Sequence, residues 1–325
     1  MPANLTPQYH AAEEAFRKAA TLEEKIAALE EMLAVIPKHK GTEKLQADIK
    51  RRLSRLREEG QKKTALSRHD PFHVEKQGAG QVVLAGFPNS GKSALVAALT
   101  RARVKVADYP FTTTVPFSGM MPYEEISIQL VDTPAYTAEG FPSGLAGLFR
   151  NADVLLVVID SCAGDCLDQL EVSLRLLTER KIVRSEIPPG VKAVLPHRLV
   201  IAANKAERPE GRENLSMLQE LSPPGQKILP VSAATGLNLE ELKARLFSAL
   251  EVIRIFTRPP GKDPDFTRPF ILPRGSTVLE LAASIHKDFK KTLRGARVWG
   301  SARFPGQGVP KEYVLQDKDI VELLV

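Results

Sequence analysis

Eight consecutive residues in the first third of the chain have the composition of a phosphate-binding loop. They form the pattern G-x-x-x-x-G-K-S and comprise Gly86, Phe87, Pro88, Asn89, Ser90, Gly91, Lys92 and Ser93. The two glycines allow a tight turn in which successive backbone N–H groups point at phosphate oxygens. The ammonium of Lys92 can then face the outer phosphates, and the Ser93 hydroxyl can ligate Mg²⁺. The pattern predicts a site for a nucleotide polyphosphate.

The flanks of this loop have the local structure that such a site needs. The apolar run 82–85 precedes the loop, and the helix-like run 94–99 follows it. A buried strand before the loop and a helix after it place the positive end of the helix dipole at the phosphates. A chance match in a glycine-containing loop is therefore the weaker interpretation.

Two segments downstream of the loop carry residues that can respond to a γ-phosphate. The hydroxyl of Thr113 can reach Mg²⁺ only when the phosphate holds its segment closed, which predicts an order–disorder switch. Asp132 ends an apolar strand and can hold the metal, and the backbone after it can sense the γ-phosphate. The two segments comprise Phe111, Thr112 and Thr113, and Asp132, Thr133, Pro134 and Ala135.

Two later segments carry residues that can recognise a base. Asn204 can bond the base edge and its own neighbours, and the stem of Lys205 can lie over the ring. Glu207 can accept hydrogen bonds from the N1–H and N2–H₂ groups of guanine, which adenine lacks, and the Ala233 N–H can meet the guanine O6. The segments comprise Asn204, Lys205 and Glu207, and Ser232, Ala233 and Ala234. Each motif alone is weak, but their order, with each at a strand end, leaves little room for chance.

Apolar runs that alternate with helical stretches predict an α/β protein built around a mostly parallel sheet with helices on both faces. We expect a helical hairpin at 1–60 and a polar linker at 61–78. The nucleotide domain is expected at 79–253, followed at 254–325 by a small domain in which a helix lies on a sheet.

The expected elements follow the spacing of apolar residues. Thr21 is expected to cap the first of two striped helices, and Thr42 the second. In the small domain, Ser276 or Thr277 is expected to cap a helix that ends near Lys291. The expected strands of the nucleotide domain are 82–86, 126–132, 154–160, 199–203 and 227–231, and its expected helices are 92–101, 166–180 and 239–252.

Charge is distributed unevenly along the chain. Eleven Lys/Arg and four Asp/Glu give +7 at 38–68, and thirteen and eight give +5 at 254–325. Since the whole chain carries +6, the remainder carries −6. This asymmetry favours a polyanionic partner at the basic ends, although a solvated charged surface explains either end taken alone. The expected RNA contacts are Lys50, Arg51, Arg52, Arg55, Lys287, Lys290 and Lys291.

The compartment is indicated by what the sequence does not contain. No apolar run approaches the roughly 18 residues of a membrane span, so no membrane partner is expected. The first residues do not combine a basic segment with an apolar stretch, which argues against a signal peptide. Cys162 and Cys166 are the only cysteines, too few for a disulfide framework in 325 residues. A cytoplasmic protein is therefore expected.

At 108–113 the sequence D-Y-P-F-T-T resembles the switch of the Obg group of GTPases, within the translation-factor class. The segments 254–259, 272–277, 285–287, 298–300 and 315–321 resemble a TGS domain, a ubiquitin-like β-grasp module. The TGS domain of the developmentally regulated GTP-binding proteins (the DRG family) is the most similar version, and 38–42 resembles their N-terminal hairpin. The resemblance covers nearly the whole chain.

Four departures from the family pattern bear on function. The interval between Asp132 and Asn204 leaves no room for the extra subdomain that many DRG proteins insert. Ala135 replaces the usual glycine, and Glu207 replaces the usual guanine-reading Asp. Tyr136 occupies the place of a water-orienting Gln. The Obg group also lacks that Gln and is associated with potassium-dependent hydrolysis, which implies K⁺ held with the help of Asn89.

The sequence and the resemblance together predict a GTPase switch that binds GTP and GDP and docks on the ribosome or another structured RNA. Mg²⁺ is expected at Ser93, Thr113 and Asp132, and Lys92, Thr113 and Asn89 are the expected catalytic residues. No residue is an evident general base, so slow hydrolysis through positioning and charge stabilisation is expected.

Two alternatives remain open. An ATPase of the same fold is suggested by Glu207, because a related Obg-group family whose motif ends in Glu prefers ATP. A binding module that the nucleotide orders without appreciable hydrolysis is the other.

Overall fold

The computed structural model describes residues 7–19, 22–36, 42, 45–56, 71–100, 115–142, 144–223, 226–286 and 288–324. The chain forms two compact units, Met1–His73 and Val74–Val325. Several residues named above lie outside the described residues, namely Thr21, Phe111, Thr112, Thr113 and Lys287. Within the described parts of the chain, no helix has the length and apolar character to cross a membrane.

The described residues of the first unit contain the two helices of the expected hairpin and a further helix before them. They are α1 (Pro7–Lys18), α2 (Leu22–Val35) and α3 (45–56). Their apolar stripes meet in one core, which contains Tyr9, Ala12, Leu29, Met32, Ile36, Ile49 and Leu53. The sequence predicts helical structure from about residue 8 to residue 58, but the predicted hairpin comprised only the two later helices. The basic residues of α3 lie on its solvent side, namely Lys50, Arg51, Arg52 and Arg55.

The second unit begins with a six-stranded sheet in the order β2-β3-β1-β4-β5-β6. Only β2 is antiparallel to its neighbour. The continuous Val, Ile and Leu runs of β1 and β4 are buried on both faces, as parallel strands in such sheets require. The strands are β1 (Gln81–Ala85), β2 (Phe117–Tyr123), β3 (Ile126–Asp132), β4 (Val154–Asp160), β5 (Leu199–Asn204) and β6 (Leu229–Pro230). The expected mostly parallel sheet is confirmed.

Helices cover this sheet, and several expected boundaries require correction. The helices are α4 (Lys92–Leu99), α5 (Leu145–Asn151), α6 (Cys166–Glu179), α7 (Pro209–Glu220) and α8 (Leu239–Leu250). The helix expected to reach residue 252 ends at Leu250, because Glu251 adopts φ +53° and turns the chain into the next strand. The strand expected at 227–231 is reduced to β6, and α5 and α7 were not predicted.

The C-terminal part is a second sheet, in the order β10-β9-β11-β7-β8, packed against α9. Its strands are β7 (Val252–Thr257), β8 (Phe270–Pro273), β9 (Gly295–Trp299), β10 (Gln307–Val309) and β11 (Ile320–Leu324). Thr277 and Glu280 form a capping box at the start of α9 (Val278–Ile285). The helix expected to reach Lys291 ends at Ile285, because His286 is extended, and Lys290 and Lys291 lie on the separate α10 (Phe289–Thr292).

A buried arginine joins the two sheets. The side chain of Arg254, on β7, is 3% exposed and is paired with three carboxylates. Asp317 precedes β11, whereas Glu124 and Glu125 form the tip of the β2–β3 hairpin of the first sheet. The guanidinium also lies 4.7 Å from the ring centroid of Phe247, on α8. We call this group of five residues the Arg254 junction.

The electrostatics of the Arg254 junction favour the charged state of the arginine. Burial disfavours the guanidinium charge, but the carboxylates of Asp317 and Glu124 outweigh this and raise the pKa of Arg254 above its ordinary value. Lys318 pairs with Glu124 at 2.8 Å, so a second cation helps to balance the acidic group. The pKa of Glu124 is correspondingly lowered by its hydrogen bonds from Lys318 and Arg254.

Candidate nucleotide site

The loop between β1 and α4 is shaped by two close approaches of the backbone. Gly91 has φ +88°, and a Cβ at this position would lie 2.1 Å from the Asn204 amide nitrogen. A Cβ on Gly86 would lie 2.5 Å from the carbonyl oxygen of Val158. Both positions therefore require glycine, and the loop opens into the N-terminus of α4, where backbone N–H groups can bind an anion.

Lys92 is a buried cation within this loop. Its Nζ donates hydrogen bonds to the carbonyl oxygens of Gly86 and Phe87, both at 3.0 Å. Burial lowers the pKa of Lys92 to about 8, and the nearby Asp132 carboxylate opposes this shift. An ammonium that has lost most of its water and is held by two carbonyls is well placed to exchange them for phosphate oxygens.

The start of α4 and the end of β3 bring two oxygen donors together. The Ser93 hydroxyl donates to Asp132 Oδ2 at 2.5 Å. Since β1 and β3 are parallel neighbours, their carboxyl ends meet at one edge of the sheet, which explains the approach. After β3, the Thr133 hydroxyl donates to the Leu84 carbonyl at 2.6 Å and holds the chain against β1. Hydroxyl and carboxylate oxygens form the donor set that Mg²⁺ prefers.

The hydroxyl of Tyr136 is already hydrogen-bonded within the protein and does not lie free at this edge of the sheet. Tyr136 is fully buried, and its hydroxyl donates to Ser173 Oγ, on α6, at 2.8 Å. Its ring lies edge-on to Phe87 of the loop and to Phe141, with centroids 5.4 and 4.9 Å apart. Burial raises the pKa of the phenol, which stays protonated. The residue in the place of a water-orienting Gln is thus part of an apolar core.

Asn204 connects three of the expected segments. At the end of β5, its Nδ2 donates to the Ser90 carbonyl at 3.0 Å, and its Oδ1 accepts from the Ala233 N–H at 3.1 Å. The amide nitrogen of Asn204 is thus bonded to the loop, and its amide oxygen is bonded to the Ala233 N–H that was expected to meet a base. Asn204 is therefore a brace between the phosphate loop and the segment 232–234, and its amide keeps a second N–H donor and a second oxygen lone pair beyond these two bonds.

The next two candidates, Lys205 and Glu207, differ in how they are held. Lys205 has φ +66°, and its Nζ pairs with Asp160 Oδ2 at 2.5 Å. Asp160 ends β4, is directly opposite Asn204 in the sheet, and also accepts from the Cys162 N–H at 3.0 Å. Among the described residues, Glu207 Oε2 is buried and has no hydrogen-bond partner, as a carboxylate oxygen that awaits a donor would be. Asp160 was missed, although it ends an apolar strand just as Asp132 does.

The sheet and the loop together define a P-loop GTPase. Residues 81–189 match the model of the family described as 50S ribosome-binding GTPase, and residues 253–325 match the TGS domain. The solved structure of the YchF GTPase of Schizosaccharomyces pombe, 15% identical, covers 78% of this chain and 99% of its own with a TM-score of 0.51, which supports the fold.

Similar proteins match both domains together. An uncharacterized GTP-binding protein of Methanocaldococcus jannaschii is 30% identical, over 94% of this chain and 93% of its own. The developmentally-regulated GTP-binding protein 1 of Xenopus laevis is 27% identical, over 92% of this chain and 98% of its own. The chain therefore belongs to the DRG family of GTP-binding proteins with a C-terminal TGS domain. The alignment with the archaeal protein extends over 365 residues, more than the 325 of this chain, so that protein contains stretches that this chain lacks.

Proposed function

We propose that the protein slowly hydrolyses GTP to GDP and phosphate and is a cytoplasmic switch that docks on the ribosome or another structured RNA in a nucleotide-dependent way. The observation that carries the proposal is the convergence of Lys92, the Ser93–Asp132 pair and the Asn204 brace at one edge of the sheet. The description of the matching family as ribosome-binding, and the basic ends of the chain, support the partner.

The chemistry that follows from this site is electrostatic. Mg²⁺, held by Ser93, Asp132 and Thr113, would neutralise charge on the β- and γ-phosphates. Lys92 would stabilise the charge that develops between them, and the loop N–H groups would hold the phosphates in line. Tyr136 is engaged with Ser173 and cannot orient water, so slow hydrolysis is expected without a further group.

Potassium is expected to raise the rate of GTP hydrolysis above that in sodium at matched ionic strength. A monovalent cation beside the phosphates would supply the charge stabilisation that Tyr136 does not, and the exposed Asn89 of the loop would help to hold it. Asn89→Ala should reduce the difference between the rates in the two salts. Single-turnover phosphate release measures both rates. Equal rates in the two salts rule the ion out, and a protein that releases no phosphate in either is a non-hydrolysing module.

Binding is expected to favour GTP over ATP, and Glu207→Gln should remove most of the preference. If the Glu207 carboxylate accepts from the two donors of guanine, it would lose both bonds with adenine, and buried polar groups left unpaired discriminate strongly. We expect the variant to bind GTP at least about tenfold more weakly. Glu210→Gln, at an exposed position on α7, is the matched control. Equal competition by ATP against labelled GTP on the unaltered protein would support the ATPase alternative instead.

Docking on ribosomes is expected to be stronger with a non-hydrolysable GTP analogue than with GDP. Only a partner that binds the two states with different affinities can be switched. Changing Lys50, Arg51, Arg52 and Arg55 to Glu should weaken co-sedimentation with ribosomes and leave nucleotide affinity unchanged, because α3 lies in the other unit. The control reverses four exposed cations of the nucleotide domain, Lys181, Lys192, Arg212 and Lys227. Co-sedimentation with ribosomes that is the same with both nucleotides and is unaffected by the charge reversal on α3 would contradict this prediction.

A further inference from the structure

The TGS sheet has one face packed on α9 and an opposite face that the first sheet covers only in part. Side chains alternate along each strand, so Val298 and Val321 enter the core with α9 and their neighbours Trp299 and Ile320 lie on the opposite face. Ile320 is paired with Trp299 on β9 and with Phe256 on β7. These three side chains therefore form a row across three adjacent strands.

Two strongly exposed phenylalanines belong to segments that contact this row. Phe266 is 53% exposed, and its ring centroid lies 5.2 Å from that of Phe256. Phe304 is 60% exposed and lies in the loop after β9. That loop is folded against Trp299, because a Cβ on Gly306 would lie 3.0 Å from the indole. Exposed aromatic rings next to a row of apolar side chains are a feature of surfaces that bind a partner.

Arginines alternate with these rings. The guanidinium carbon of Arg258 lies 5.0 Å from the Trp299 ring centroid, and that of Arg303 lies 5.3 Å from the centroid of Phe304. Arg297 lies two residues before Trp299 on the same face; its side chain is 55% exposed and pairs with Glu322 at 3.5 Å. The aromatic–arginine face is defined here as Trp299, Phe304, Phe266, Arg258, Arg303 and Arg297.

We propose that the aromatic–arginine face binds unpaired RNA bases, which stack on its rings while the phosphates contact its arginines. This proposal rests on the proposed RNA partner and names the part of the chain that contacts it. Interleaved rings and cations are the arrangement that single-stranded nucleic acid requires, and the +5 charge of residues 254–325 favours a polyanion over a protein. The bases of a duplex are stacked on each other and would not reach these rings.

The test compares a labelled single-stranded RNA 12-mer of mixed sequence with the same strand in a duplex, by fluorescence anisotropy with the full chain. We expect the single strand to bind more tightly. Phe304→Leu should weaken its binding about five- to a hundredfold and leave the salt dependence unchanged. Arg303→Gln should lower the slope of log K against log salt by about 0.7. Phe117→Leu, at a ring 46% exposed on β2, is the matched control.

The outcomes separate this proposal from the function on which it rests. If the full chain binds neither RNA nor ribosomes, the proposed partner is wrong and the face has no RNA to contact. If RNA binds and Phe304→Leu behaves like Phe117→Leu, or the duplex binds as tightly as the single strand, the partner stands and the face is overturned. If Phe304→Leu loses ribosomes but keeps RNA, the face contacts a ribosomal protein, which also overturns the proposal.

Discussion

Lys92→Ala is expected to abolish tight binding of GTP. Lys92 is the loop's own cation, and it is buried against the carbonyl oxygens that phosphate would replace. Truncating one partner of a buried, hydrogen-bonded charge pair costs roughly 2–5 kcal/mol, or about thirtyfold to several thousandfold in Kd. Titration with a fluorescent GTP analogue in excess Mg²⁺ measures the loss.

The control for this experiment is Lys181→Ala, at an exposed lysine that follows α6. This variant should bind GTP like the unaltered protein, because it removes the same charge far from the loop in sequence. The unfolding temperature of Lys92→Ala without nucleotide shows that the domain still folds. Unchanged GTP affinity in a folded Lys92→Ala variant would mean that the phosphates bind elsewhere.

Arg254→Met is expected to destabilise the Val74–Val325 unit by about 3 kcal/mol. The substitution keeps much of the apolar stem but leaves Asp317, Glu124 and Glu125 without their shared cation. We expect the lower end of the range for breaking a buried pair, because each carboxylate keeps about a third of its surface in water. Hydrogen exchange of β7 and β11 measures the local loss, which a multidomain melting curve would blur.

Arg297→Met provides the matched control for the Arg254 junction. Arg297 lies on the same face of the same sheet, but it is exposed and makes one ion pair at 3.5 Å. Its replacement should change the stability by no more than about 0.5 kcal/mol. If the two variants lose equal protection, the arginine is not what holds the two sheets together. Adding Glu124→Gln and Glu125→Gln to Arg254→Met should restore part of the loss, because fewer charges remain unpaired.

Much of the first sheet could be predicted because its strands are continuous apolar runs with marked ends. The spans of β3 and β4 were predicted to the residue, since each ends in an aspartate at the carboxyl edge of the sheet. By contrast, β2 contains Gly119 and Pro122, which resemble a turn in sequence. Proline is tolerated there only because β2 is at the edge of the sheet. The position of β2 follows from the order of the strands and cannot be deduced from the local sequence.

The nucleotide site shows the same division between local pattern and distant pairing. The phosphate loop and Asp132 could be recognised because a few consecutive residues define each of them. The pairing of Lys205 with Asp160, 45 residues apart, was not. Arg254 was harder still, since its partners lie 63 and about 130 residues away and its own neighbours look like an ordinary strand. Which charges meet across a fold depends on packing that no short pattern records.

The Arg254 junction has a mechanical consequence for the chain. Asp132, at the C-terminal end of β3, accepts a hydrogen bond from Ser93. Glu124 and Glu125, which immediately precede β3, accept hydrogen bonds from Arg254. From Arg254, the same β7 strand leads within two residues to Phe256. The strands β3 and β7 are thus linked through Arg254, and each extended residue adds about 3.3 Å to their length. Glu251 is the single residue between α8 and β7. A shift of β3 along its axis would therefore move the hairpin tip and, with it, two of the carboxylates that hold Arg254 in the second sheet.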